Sequence, residues 1–210
     1  RDTDVLMLYP LSLVACEERF GSWMVQYGYA NYVTPRKLLQ HGQVGADGRI
    51  EMAGRKFGTL AVLFEPLPPP ELLDFLEKFV GSGGKLIWSG PPPRLDLAAQ
   101  PVLDRWQKLF GVKGVQFGAE GQVADGWSLQ FSGTLGQVPP QAVLSEFLVD
   151  FTYPVEPDAG AEVVARVGQK VVGVHRPTAG KGSATFLGFR PRDDQSASLG
   201  AEVRTWFEIL

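Results

Sequence analysis

The chain has 210 residues, 44% of them hydrophobic and 11% aromatic, enough for one sizeable core and too apolar for a disordered segment. Its formal net charge is −3, with no long run of one sign, so it offers no basic surface to a phosphate backbone and nucleic acid is not an expected partner. One cysteine, Cys16, excludes an internal disulfide framework, and no apolar run approaches the roughly 20 residues that cross a bilayer, so no membrane partner is expected.

In chain order, Val5 to Tyr9 is a continuous apolar run ended by Pro10, the pattern of a strand buried on both faces in a parallel sheet. Phe20, Trp23, Met24 and Tyr27 share one face of a helix expected over 17–27. A short strand over 31–34 follows, and Pro35 suits the first turn of a helix running through Lys37 to Gln40. Gly45 to Gly48 reads as a turn, flanked by Arg49 to Met52 and by the stronger strand Leu60 to Phe64.

Beyond Pro66 to Pro70, the spacing of Leu72, Leu73, Leu76, Phe79 and Val80 predicts a helix over 71–80, ended by Gly81-Ser82-Gly83-Gly84. Lys85 to Trp88 is a further buried strand, broken by Ser89-Gly90-Pro91-Pro92-Pro93, so strand, helix and strand form a parallel crossover unit. A helix is expected over 102–110. From 112 to about 155 short alternating segments such as Trp127 to Phe131 suggest antiparallel strands or an irregular insertion. Ala161 to Val167 and Lys170 to His175, joined at Gly168-Gln169, form a hairpin, Ala184 to Gly188 another strand, and Leu199 to Leu210 a last helix. No internal repeat or clear linker divides the chain, so residues 1–210 are read as one domain. Both ends of the sequence read as edges cut from a longer polypeptide.

These pieces predict an α/β fold, a three-layer, doubly wound and mostly parallel sheet with helices on both faces. Their order resembles the class I glutamine amidotransferase-like (flavodoxin-like) domain of large glycoside hydrolases, including β-galactosidases, where it serves as a trimerisation domain. The matching residues are the strand Asp4 to Pro10, the Asp47-Gly48-Arg49 turn leading to Phe57 and Leu60 to Phe64, the helix over 71–80, and Gly83-Gly84-Lys85-Leu86-Ile87. Gly180-Lys181-Gly182 with Phe186-Leu187-Gly188 matches more loosely, and the middle of the chain is not covered.

The resemblance implies a non-catalytic scaffold, oligomerisation or domain-docking module of a carbohydrate-active protein. Its partners would be other domains of the same polypeptide or further copies of itself, and the setting extracytoplasmic, periplasmic or extracellular. A working amidotransferase carries a cysteine on the turn after a central strand, together with a later histidine that has a glutamate two residues on. Here that turn reads Trp88-Ser89-Gly90-Pro91 and the late histidine is His175-Arg176-Pro177. Ser89 is therefore the nucleophile candidate at that position, with His175 as its base, and Pro91 and Pro92 remove two N–H donors where an oxyanion hole would need them.

Cys16 follows the first strand, but Arg19 comes too soon after it for a phosphatase loop and Glu17 and Glu18 repel phosphate. A structural cysteine is the simpler reading, with Cys16 kept beside Ser89 as the nucleophile of an alternative stand-alone hydrolase or amidotransferase variant. No nucleotide-binding glycine motif is present, the loop after the first strand lacks a flavin-phosphate pattern, and His41 and His175 have no second ligand at metal-binding spacing, so neither cofactor nor metal is expected. Arg190, Arg192, Asp193 and Asp194 lie after a strand and before the last helix, where α/β sheets bind ligands, and are candidates for holding a polar ligand or docking a neighbouring domain. Trp23, Trp88, Trp106, Trp127 and Trp206 are too many to be assumed to fit one small core, which suggests interfaces. A sugar-binding module is a further alternative, and it predicts exposed aromatics lining a groove.

Overall fold

In a computed structural model, described here for residues 3–9, 28, 30–117, 127–143, 152–189 and 199–210, the apolar runs form the elements of one α/β fold. Taken in chain order, β1 (Val5–Leu8) and β2 (Asn31–Val33) precede the helix α1 (Pro35–His41). The short strands β3 (Gln43–Val44), β4 (Ile50–Met52) and β5 (Arg55–Phe57) lead to β6 (Thr59–Leu63), the helix α2 (Leu72–Gly81), β7 (Lys85–Ser89) and the helix α3 (Leu103–Phe110). Then come β8 (Val112–Val115), β9 (Trp127–Phe131), β10 (Gln141–Val143), β11 (Val155–Pro157), β12 (Glu162–Val167), β13 (Lys170–Pro177), β14 (Ser183–Leu187) and the helix α4 (Leu199–Ile209).

The main sheet has nine strands in the order β10-β9-β12-β13-β14-β7-β6-β1-β2. From β14 to β2 every pairing is parallel, and from β13 outward every pairing is antiparallel. The expected hairpin is present as β12 and β13, turning at Gly168-Gln169. The segment expected as an antiparallel or irregular insertion supplies antiparallel strands that join the main sheet: β9 adds to β12, and β10 to β9. β8 departs from that course and pairs with β11 as a separate two-stranded ribbon. A second departure is the antiparallel meander β3-β4-β5, where only β4 and its turn were expected. Its outer strands are two or three residues long, too short to show a period in the sequence.

Side chains alternate between faces, so each central strand feeds two cores. Leu6, Leu8, Leu60, Val62, Leu86 and Trp88 point to one side and pack with α2, α3 and the meander. Val5, Met7, Ala61, Leu63 and Ile87 point to the other, where Trp206 and Ile209 of α4 are buried. α2 contributes Leu72, Leu73, Leu76, Phe79 and Val80, the stripe that its spacing predicts. It is fastened to α3 by Arg105, whose Nε and a terminal nitrogen donate to the two oxygens of Glu77 at 2.7 and 2.8 Å and which also reaches Asp74.

Three of the five tryptophans belong to this core and not to an exposed interface. Trp88, Trp106 and Trp206 are all buried, while Trp23 and the side chain of Trp127 lie outside the described residues. Trp106 meets Trp88 and Phe186 edge to face, at 6.1 and 4.8 Å between ring centres, an arrangement suited to the ring quadrupoles. The Trp88 indole N–H donates to the Pro91 carbonyl at 3.1 Å. These rings hold the sheet together and are unavailable to a partner.

Candidate functional site

The parallel strands β1, β6, β7 and β14 end at one edge of the sheet, where Tyr9, Phe64, Ser89 and Phe189 follow or close them. Folds of this kind bind ligands there, above all where neighbouring strands are wound in opposite directions. That reversal falls between β1, whose next strand in sequence lies on one side, and β6, β7 and β14 on the other.

Ser89 closes β7 at this edge but has no free hydroxyl to offer. It is fully buried, and its Oγ donates to the Phe189 carbonyl at 2.6 Å. Gly90, in the left-handed region at φ +95°, makes the turn, yet its N–H already donates to the Leu187 carbonyl at 2.9 Å. Residues 91–93 are prolines without an N–H, so the backbone of this turn presents no donor to an oxyanion.

His175 is not brought to Ser89. It pairs across β13 and β14 with Thr185, whereas Ser89 pairs with Leu187 on the far side of β14, which places the two residues two strand spacings apart across the sheet and two positions apart along it, roughly 12 Å. The His175 Nδ1 shares a 2.9 Å hydrogen bond with Thr185 Oγ1. Burial holds its pKa below the ordinary 6.5, and the nearby Glu162 carboxylate opposes that shift. Glu162 faces His175 across the hairpin, a carboxylate that the local His-Arg-Pro motif does not contain but the hairpin register supplies. Cys16, Arg190, Arg192, Asp193 and Asp194 lie outside the described residues. Among the described residues no cluster of histidine and carboxylate side chains is placed to hold a metal ion.

Sequence reasoning passed over Glu65, the residue after Phe64 on the segment leaving β6. Glu65 is only 3% exposed, and its Oε2 has no hydrogen-bond partner. Burial alone pushes its pKa from the usual 4.5 to about 8, so the carboxyl keeps its proton at neutral pH. The preceding Phe64 has φ +57°, a left-handed backbone that is strained for a bulky residue, while its N–H donates to the Ser89 carbonyl at 2.9 Å. The available signal was a glutamate set between a buried apolar strand and the proline run Pro66 to Pro70, where no surface position was indicated.

The opposite edge carries an open groove of about 510 Å³ lined by Thr3, Asp4, Arg49, Gly54, Arg55 and Lys56. Arg49 bonds Asp4 at 3.1 Å, Lys56 reaches Glu51 at 2.7 Å and Asp47 at 3.4 Å, and Arg55 donates to the Asn31 side-chain oxygen at 3.1 Å. Such exposed pairs favour a solvated surface over an anion site.

No protein-family model matches the sequence, and no curated protein sequence matches it. Solved structures share its fold. Gan42B, a GH42 β-galactosidase from G. stearothermophilus, superposes with a TM-score of 0.61 at 16% identity, over 97% of this chain and 30% of that one. The β-galactosidase of Bacillus circulans sp. alkalophilus gives 0.62 at 12% identity, again over 97% and 30%. A cytoplasmic protein of Salmonella typhimurium gives 0.60 at 11% identity, over 98% of this chain and 96% of its own. The chain thus spans about a third of the length of the β-galactosidases, and its fold occurs both within those chains and as nearly the whole of a small protein. At these identities the likeness is one of fold alone.

Proposed function

We propose that the chain is a non-catalytic, amidotransferase-like module that serves as a scaffold, docking onto further copies of itself or onto other domains of a glycoside hydrolase-like protein. The observation that carries this reading is the closed turn after β7, where Ser89 is bonded to Phe189 and the Gly90 N–H is spent on Leu187. The parallel strands, numbered among themselves in chain order, run 2-1-3-4-5, the flavodoxin-like order, which supports the finer reading of the fold. The match to a third of each β-galactosidase chain supports a place in a larger carbohydrate-active protein.

A docking surface is available on the loops that leave β6 and β7. Leu67, Leu95 and Leu97 are exposed there, Leu97 at 62%. The loop that presents them is braced: Asp96 Oδ1 accepts the N–H groups of Ala98 and Gln100 at 2.8 and 2.9 Å, and the Leu97 N–H donates to the Pro68 carbonyl at 2.9 Å. A rigid apolar projection loses little conformational entropy when a partner covers it. Sedimentation of the full reading frame tests the proposal. The expected result is self-association that Leu97→Arg weakens without unfolding the chain. Identical monomeric sedimentation of wild type and variant, with the module cleaved from its neighbours at the same rate, refutes it.

The Salmonella neighbour, matched over nearly its whole length, favours a second reading in which a module of this type works as a stand-alone protein. Assembly through the same leucines then involves only copies of the chain.

A further inference from the structure

The carboxyl edge between β1 and β6 holds a group that docking does not use. We infer that Glu65 anchors a small binding site at the carboxyl ends of β1 and β6, one that takes a neutral polyhydroxylated ligand such as a monosaccharide. The inference is independent of the docking reading, which rests on the leucines and on the turn after β7.

Three observations point to a ligand. Glu65 is only 3% exposed, and no hydrogen bond satisfies its Oε2, although an apolar side chain at that position would avoid the whole penalty of burying a carboxyl. The backbone immediately before it is held in the left-handed region at Phe64, and unfavourable conformations of this kind persist where function fixes the direction of a side chain. Glu65 also follows β6 at the point where the winding of the sheet reverses, the position at which an open α/β sheet leaves a crevice.

The chemistry of the surroundings selects the ligand. A protonated carboxyl, the form that burial favours, offers one donor and one acceptor side by side, the complement of two neighbouring hydroxyls. The segments leaving β6 and β7 carry Pro66, Pro68 to Pro70 and Pro91 to Pro93, which supply no N–H groups. Among the described residues these prolines offer an anion no backbone donor, and a cation would require the carboxyl to ionise out of contact with water. Tyr9 closes β1 one strand spacing, about 5 Å, from the end of β6, as the pairing of Leu8 with Val62 sets it. Its ring lies 4.9 Å from that of the partly exposed Tyr32, an aromatic pair suited to the apolar face of a sugar ring.

The test is saturation-transfer NMR of D-galactose and D-mannose with wild type, Glu65→Gln and Glu65→Met, alongside calorimetric melting of each protein. We expect binding of at least one of these sugars to wild type, retention within a few-fold in Glu65→Gln, whose amide also donates and accepts, and a loss of about tenfold or more in Glu65→Met. Glu65→Met is expected to melt higher than wild type while sedimenting as wild type does; if it does not fold, Glu65→Ala takes its place. No transfer to either sugar from folded wild type, or equal binding by the apolar variant, overturns the inference and leaves the docking reading untouched.

Discussion

The Ser89 hydroxyl and the Phe189 carbonyl meet at 2.6 Å, a hydrogen bond that ties the end of β7 to the residue just past the neighbouring strand β14. Both residues are buried. Ser89→Ala leaves that carbonyl short of its partner inside the core, and a loss of about 1 to 3 kcal/mol is expected in urea unfolding. Ammonia release from glutamine is expected to be at background for wild type and variant alike. A variant of unchanged stability, or one that abolishes a measurable glutaminase rate, contradicts the structural role given to this serine.

Glu65 makes stability depend on pH in a direction opposite to most carboxylates. Its folded pKa of about 8 stands above the ordinary 4.5, so between those values the unfolded chain has released a proton that the folded chain retains. The stabilising contribution of the neutral form is complete below about pH 4.5, declines as pH rises, and is lost above about pH 8. Over that window the group lowers stability by an amount on the order of a few kcal/mol, since each tenfold difference in proton affinity between the folded and unfolded chain is worth roughly 1.4 kcal/mol. Glu65→Gln is expected to flatten this slope in urea titrations at a series of pH values. A slope unchanged by the substitution shows that Glu65 is ionised in the folded state.

What was legible in the sequence is what has a period or a break. The strands around Leu60 to Leu63 and Leu86 to Trp88 and the stripe of α2 were visible because burial on both faces, or on one helical face, writes itself as continuous or three-to-four-spaced apolar residues. β3 and β5, which flank the expected strand at Ile50, were not, since strands of two or three residues leave too few positions to alternate. The turn at Ser89 was found, but its occupancy by Leu187 and Phe189, about a hundred residues later, depends on tertiary pairing. Glu65 was missed because its burial follows from the packing around a strand end, while its sequence neighbours suggest only a proline-rich loop.

Two glycine groups quoted for their resemblance to amidotransferase-like domains prove to be one contact. Gly180 and Gly182 cross the end of α2, and the Ser183 N–H donates to the Gly84 carbonyl at 3.1 Å. A Cβ at Gly182 would lie 2.1 Å from the Val80 carbonyl oxygen, a backbone atom that cannot swing aside. Gly182→Ala is expected to destabilise by about 2 kcal/mol or more, within the range for overpacking. Gly81→Ala is the control: a Cβ there meets nothing within 4 Å, and helix propensity predicts a gain of roughly 0.5 to 1 kcal/mol. Equal effects of the two substitutions in chemical denaturation refute the packing argument.

His175 provides a check on the hairpin independent of stability. Desolvation favours its neutral ring, with Glu162 across the pair opposing the shift, so its titration followed by NMR is expected below the ordinary 6.5. Because the folded pKa is lowered, stability from the neutral ring is present above about pH 6.5 and is lost as pH falls through the folded value. Glu162→Gln removes the carboxylate that opposes the desolvation, and the His175 midpoint is expected to fall further. A rise in that midpoint on Glu162→Gln, or a wild-type midpoint above 6.5, shows that the imidazole is not packed between β12 and β14 as the register of β13 places it.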